Sequence, residues 1–334
     1  MPGHTSRPYL RDIALISRTP GAARTVTSGV ACVAALLILA GCGSSATPAA
    51  PPSATRSAGP TPTARPTPAA PTPSPPRSPS AAPTPTSASG PPLRIELWGD
   101  SISAQAALYF SFFVGLTGHG VAAEHTFGGT ALCDWFPDMR TETDPSNPAG
   151  FHPQIAVIQF SGDAFTPCMK AGNGVALSDQ ALVNKYAADS AVAISIFTSH
   201  NIPVYFVSTP ISRGQAAQGA VGNTALGVMF SKLPALFHSN PLVHFADGAA
   251  AVELNGHYTD TLPCQKGETC TGHWPDGTPT VVVRQADGTH FCPVPEVMVN
   301  GATSCPAAMP GARRYVLAII NRIAQDFPSL RQRD

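Results

Sequence analysis

Ser101 follows a glycine and an acid, in Gly99-Asp100-Ser101. The short segment Leu93-Arg-Ile-Glu-Leu-Trp98 stands before it and the apolar stretch Ile102 to Leu116 after it. The first reads as a strand and the second as a helix, so the serine falls at a strand-to-helix turn. There its hydroxyl sits at a sheet edge and its backbone N–H at a helix N-terminus. Those are the requirements for attack on a carbonyl and for holding the oxyanion that forms. A base for the hydroxyl is available late in the chain. Asp287-Gly288-Thr289-His290 puts an acid three residues before a histidine, close enough to fold back and orient the imidazole. Two further strand-end loops could complete a site. Phe127-Gly128-Gly129-Thr130 offers glycine, which lets the backbone approach a ligand closely, and Ser161-Gly162-Asp163-Ala164 offers an acid.

Strands must hold these loops at one edge. Gly120 to Phe127 reads as a second strand. Gln154 to Phe160 and Ile202 to Ser208 are continuous apolar runs of the kind buried in parallel sheets. Leu242 to Ala246 is a further strand. Ser178 to His200 has helical periodicity with Asn201 as its stop, and Asn223 to Phe237 is also helical. Pro310 to Phe327 is an amphipathic helix with Val316, Ile319, Ile320 and Ile323 on one face. Ala250 to Ser304 is rich in Gly, Pro, Thr and Cys and reads as loops with short elements. Strands alternating with helices predict a doubly wound α/β domain, three layers deep around a mostly parallel sheet. Ligands of such sheets bind beyond the carboxyl ends of the strands, where three of the four loops above fall, the fourth coming late in the chain.

Taken in this order and on these elements, the loops resemble the blocks of the SGNH (GDSL-type) hydrolase family. The resemblance runs from Ile95 to His290. Gly99-Asp100-Ser101 is similar to the first block, Gly128 two residues before Thr130 to the second, and Asp287 with His290 to the last. The resemblance implies a flavodoxin-like fold, Ser101 as nucleophile, His290 as base and Asp287 as its orienting acid. It implies an oxyanion hole from the N–H groups of Ser101 and Gly128 and the side chain at position 163, and no cofactor or metal. The third block departs: Asp163 stands where the family has Asn, and Ala164 where it has Asp. The implied activity is cleavage of carboxylic esters such as acetylated sugars, lipids and small esters. The alternatives on the same fold are acyl transfer to another alcohol, and a non-catalytic envelope-binding lipoprotein that has lost the oxyanion amide.

The address of the protein is read from its first 92 residues. Residues 1–28 carry four arginines and one acid, and a 13-residue apolar run from Gly29 to Gly41 follows. That run suits a signal-peptide core and is too short to span a bilayer. It ends in Leu39-Ala40-Gly41-Cys42, which resembles the lipobox of bacterial lipoproteins, with Cys42 as the lipidated first mature residue. Residues 1–41 are thus expected to be a signal peptide. Residues 42–92 are expected to be a lipidated Cys and a disordered tether, since 16 of the 36 prolines fall between Gly43 and Pro92 among Ala, Ser and Thr. Residues 93–334 are expected to form the hydrolase domain; their 13 basic against 19 acidic side chains argue against a nucleic-acid surface. The expected location is the outer face of the bacterial cell membrane. The expected partners are that membrane, through the anchor, and an ester substrate, with acylated envelope glycans or lipids favoured by the address.

Apart from Cys32 in the signal and Cys42, six cysteines remain, and an exported domain should pair them. Sequence proximity favours Cys264–Cys270 and Cys292–Cys305, which leaves Cys133–Cys168. Such bridges would clamp the loops that carry Gly128, Asp163 and His290. The rival arrangement is a zinc site from Cys264, Cys270, His257 and His273. His119, His125, His152, His200, His238 and His244 have no partner at an informative spacing. Tyr109, Phe110, Phe112 and Phe113 read as core, and Trp135 and Trp274 as candidates to line a substrate groove.

Overall fold

A computed structural model describes residues 90–299 and 302–332. The signal peptide, the lipidated Cys42 and the tether expected from the sequence, up to residue 89, lie outside these residues. Among the described residues no helix is long and apolar enough to cross a membrane.

Five parallel strands form the main sheet: β1 (Leu93–Gly99), β2 (Gly120–Thr126), β3 (Ile155–Gln159), β4 (Val204–Val207) and β5 (Val243–Ala246). Their spatial order is β2-β1-β3-β4-β5, the flavodoxin-like doubly wound order. Every residue of β3 and β4 is buried, which is why both are apolar without alternation.

Helices α1 (Ser101–Leu116) and α6 (Pro310–Asp326) cover one face of the sheet. Helices α2 (Phe136–Thr143), α3 (Asp179–Thr198) and α5 (Ala225–Leu236) cover the other, and a short α4 (Arg213–Ala217) lies between β4 and α5 in the chain. The α6 face of Val316, Ile319, Ile320 and Ile323 packs on Ile95, Val157 and Val207. Burial of each such side chain contributes about 1.5–3 kcal/mol. Asn201 ends α3 at a left-handed φ of 60°, as its place after the periodic run implies.

Phe110 and Phe113 are buried, but Phe112 is 54% exposed, because it points away from the face of α1 that meets the sheet. The loop-rich late region holds a small antiparallel sheet, β6-β8-β7 (Thr261–Pro263, Pro279–Val282, Gly272–His273), and a hairpin of β9 (Val297–Val299) and β10 (Ala302–Ser304). All three expected disulfides are present, Cys133–Cys168, Cys264–Cys270 and Cys292–Cys305. With Cys264 and Cys270 bonded to each other, the rival zinc site is ruled out, since disulfide sulfurs are not thiolate ligands.

Candidate active site

The carboxyl ends of β1, β2 and β3 bring three of the loops together at the point where the strand order reverses, and the His290 loop, which follows β8, meets them there. Gly99 closes β1 where a Cβ would collide with the Ser103 side chain and the carbonyl oxygen of Gln159, so only glycine lets the chain turn here. Asp100 caps α1, its Oδ1 accepting from the Ile102 N–H at 3.1 Å. Its Oδ2 accepts from the Ser161 hydroxyl at 2.6 Å and from the Ser161 N–H. One carboxyl thereby ties the loop after β1 to the loop after β3. Burial pushes the Asp100 pKa up to about 6, against the pull of the hydrogen bonds from Ser161.

Ser101 is the first residue of α1, where helix N–H groups have no intrahelical acceptor and the helix dipole is positive. Its Oγ lies 2.9 Å from His290 Nε2, and His290 Nδ1 lies 2.6 Å from Asp287 Oδ2. Asp287 Oδ1 accepts from the N–H groups of Thr289 (2.8 Å) and His290 (3.1 Å), so the loop is folded around this carboxylate. Partial burial raises the Asp287 pKa, but hydrogen bonds from the His290 ring and the two N–H groups outweigh it. The carboxyl is held below the usual range. The Asp287 carboxylate, which can only accept, favours the tautomer with Nδ1 protonated and Nε2 facing the hydroxyl.

The Gly128 backbone runs directly against the nucleophile position: an added Cβ would lie 3.5 Å from Ser101 Cβ. Gly129 follows with φ +81°, a conformation that favours glycine. Asp163 faces the same place from the loop after β3. Its carboxyl is half-buried and accepts from the Gly129 N–H. Burial raises its pKa, against the pull of that N–H and of His290. Tyr186 holds the loop by donating its hydroxyl to the Asp163 carbonyl at 3.0 Å. The Cys133–Cys168 bridge joins the Gly128 and Asp163 loops, and Cys292–Cys305 secures the chain just past His290.

Three supporting features escape sequence reasoning. Gln105 lies one turn beyond Ser101 on α1, and its Oε1 accepts from the Phe291 N–H at 2.5 Å and the Cys292 N–H at 3.2 Å. It fastens the His290 loop to the helix that starts with Ser101. Arg213 braces the same loop from outside, through its N–H to Gly288 O (2.8 Å) and its guanidinium to Ala286 O (2.9 Å) and Asp260 Oδ1 (2.8 Å). The aromatic rim is made by phenylalanines rather than by tryptophan. Phe127 and Phe165 are 68% and 74% exposed, and the Phe165 ring lies 3.7 Å from where a Gly129 Cβ would be. Trp135 is half-buried against Trp98 and donates to Thr130 Oγ1, while Trp274 donates to Thr261 Oγ1 in the small sheet. The only signal for Gln105 was its i+4 spacing from Ser101 on a helix.

No family model and no curated protein matches the sequence. Solved structures similar to the chain include a catalytic mutant of an acetylxylan esterase from Geobacillus stearothermophilus. It is 14% identical over 73% of this chain and 99% of that one, with a TM-score of 0.43. A GDSL-like lipase from Bacteroides thetaiotaomicron is 12% identical over 70% and 88%, with a TM-score of 0.39. The C-terminal catalytic domain of peptidoglycan O-acetyltransferase A from Streptococcus pneumoniae is 14% identical over 71% and 97%, with a TM-score of 0.39.

Proposed function

We propose that the protein is a serine ester hydrolase of the SGNH type, exported and held at the outer face of the bacterial cell membrane by a lipid on Cys42. The observation that carries the reading is the unbroken hydrogen-bond chain Asp287–His290–Ser101 at the N-terminus of α1. In this reading Ser101 Oγ attacks the ester carbonyl as His290 Nε2 takes its proton, and Asp287 stabilises the imidazolium that results. The oxyanion forms beside the N–H groups of Ser101 and Gly128. His290 then returns the proton to the leaving alcohol. Water, activated by the same imidazole, releases the acid from the acyl-enzyme. The substrate is an acylated envelope glycan or lipid, since a domain tethered outside the membrane meets these first.

One residue favours a second reading. The carboxyl of Asp163 stands where the family places a neutral amide donor, and an ionised carboxylate beside the developing oxyanion opposes the reaction. That supports a non-catalytic envelope-binding lipoprotein on the same fold. Aryl-ester hydrolysis by the wild type, Ser101→Ala and His290→Ala separates the two. A hydrolase loses turnover in both variants. A binding module shows the same background rate in all three.

A further inference from the structure

Glu96 sits in the middle of β1 with a fully buried side chain, on the same face of the strand as Trp98, whose core cluster includes Met139 of α2. Its Oε1 lies 3.1 Å from Nε2 of His125, on the neighbouring edge strand β2, and its Oε2 accepts from the Trp98 Nε1–H at 3.2 Å. Glu142, in the last turn of α2, brings a third group. One ligand atom from each of Glu96, His125 and Glu142 lies within 4.8 Å of the other two. The charged groups acting most strongly on His125 are Glu96, Glu142 and Asp138, all acidic. Two carboxylates, one of them fully desolvated, thus meet at a single imidazole. Three donor atoms on three different elements, one of them on a fully buried side chain, converge on one point.

We propose that Glu96, His125 and Glu142 bind one divalent transition-metal ion, with Zn²⁺ the best match to their donor set. Two carboxylate oxygens and one imidazole nitrogen are borderline donors that suit Zn²⁺ and balance its charge. Tetrahedral ligands about 2.0–2.1 Å from zinc lie about 3.3 Å apart, so the side chains need only draw together modestly. Each ligand is already held from behind, as in built metal sites. Trp98 Nε1–H steadies Glu96, and the Phe151 N–H steadies Glu142 Oε2 at 2.5 Å. The His125 ring is stacked on Trp98 at 4.0 Å and meets Trp135 edge-on at 6.2 Å. The His125 side chain is 23% exposed, which leaves a route from solvent and room for a water as fourth ligand. The ion is structural: it staples β1, the edge strand β2 and α2 together. His125 lies three residues before Gly128, so the staple steadies the backbone that passes against Ser101.

The test is calorimetric titration of Zn²⁺ into the full chain after removal of metals with EDTA, beside its thermal melting with and without Zn²⁺. Glu142→Gln is the informative variant, because its amide oxygen still accepts the Phe151 N–H while the charge is lost. His125→Gln is the second. The expected result is one Zn²⁺ per chain, at least a tenfold weaker affinity in each variant, and a Tm that rises with Zn²⁺ in the wild type only. Trp98 and Trp135 add an independent signal: Cu²⁺ should quench tryptophan emission in the wild type and much less in Glu142→Gln. Absence of stoichiometric binding, or binding equally tight in Glu142→Gln, overturns the proposal. So does a Tm gain that survives in that variant.

Discussion

Replacing Asp163 by Asn changes one atom of a side chain that lies beside Gly129 and His290 in the loop after β3. In the wild type the carboxyl accepts from the Gly129 N–H, and burial raises its pKa against that hydrogen bond and the nearby His290. Protonated, it can donate to an oxyanion; ionised, it can only accept. The wild-type rate should therefore fall as pH rises through the Asp163 titration. Asn supplies a donor at every pH, so the descending limb should vanish. One oxyanion donor is worth roughly 10²–10³ in kcat. The amide oxygen can keep the Gly129 N–H while its NH2 donates, so a gain of about tenfold or more is expected at pH 8. The assay is kcat for an aryl ester from pH 5 to 9 in both proteins. A variant that is slower at every pH, or that keeps the descending limb, refutes the reasoning and assigns Asp163 a positive role.

Gln105→Ala removes the acceptor for the Phe291 and Cys292 N–H groups. Leaving them unpaired should cost about 1–3 kcal/mol in urea unfolding, and loosening His290 should lower kcat about tenfold or more with KM little changed. Asp100 is fully buried with its pKa raised from 3.8 to about 6, so the fold prefers its protonated form. Its contribution to stability is highest below pH 4 and is lost as pH rises to about 6, by roughly 3 kcal/mol. The difference in unfolding free energy between wild type and Asp100→Asn, followed from pH 4 to 7, should drift by that amount in favour of the variant; a flat difference counts against it. Cys42→Ser should move the protein from the detergent phase to the aqueous phase on Triton X-114 partitioning, and unchanged partitioning removes the lipid anchor from the account.

The parts of the fold legible in the sequence are those with a strong local signal. β3 and β4 are apolar throughout because both faces are covered, and the α6 stripe from Val316 to Ile323 is buried as its spacing implies. Ser101 and His290 each sit in a short motif whose loop geometry is local, and their meeting across 189 residues follows once both loops lie at one sheet edge. What stayed hidden depends on register and on side-chain direction. His125 has no informative spacing in the chain, yet parallel pairing of β1 with β2 sets it opposite Trp98 and against Glu96. Phe112 looks like core within an aromatic run but lies on the outward side of α1. The strands β6, β7 and β8 are two to four residues long in a Gly- and Pro-rich segment, too short for periodicity to register. Gln105 and Arg213 act through backbone groups of a distant loop, which no residue pattern encodes.

The proposed function requires Ser101 to be an activated nucleophile. An organophosphonate serine probe, followed by intact-mass analysis and peptide mapping, measures that property without knowledge of the substrate. One adduct per chain is expected, mapped to Ser101, absent in Ser101→Ala and formed far more slowly in His290→Ala. A wild-type chain that takes no adduct under conditions that label a serine esterase control, or takes it at another residue, contradicts the account.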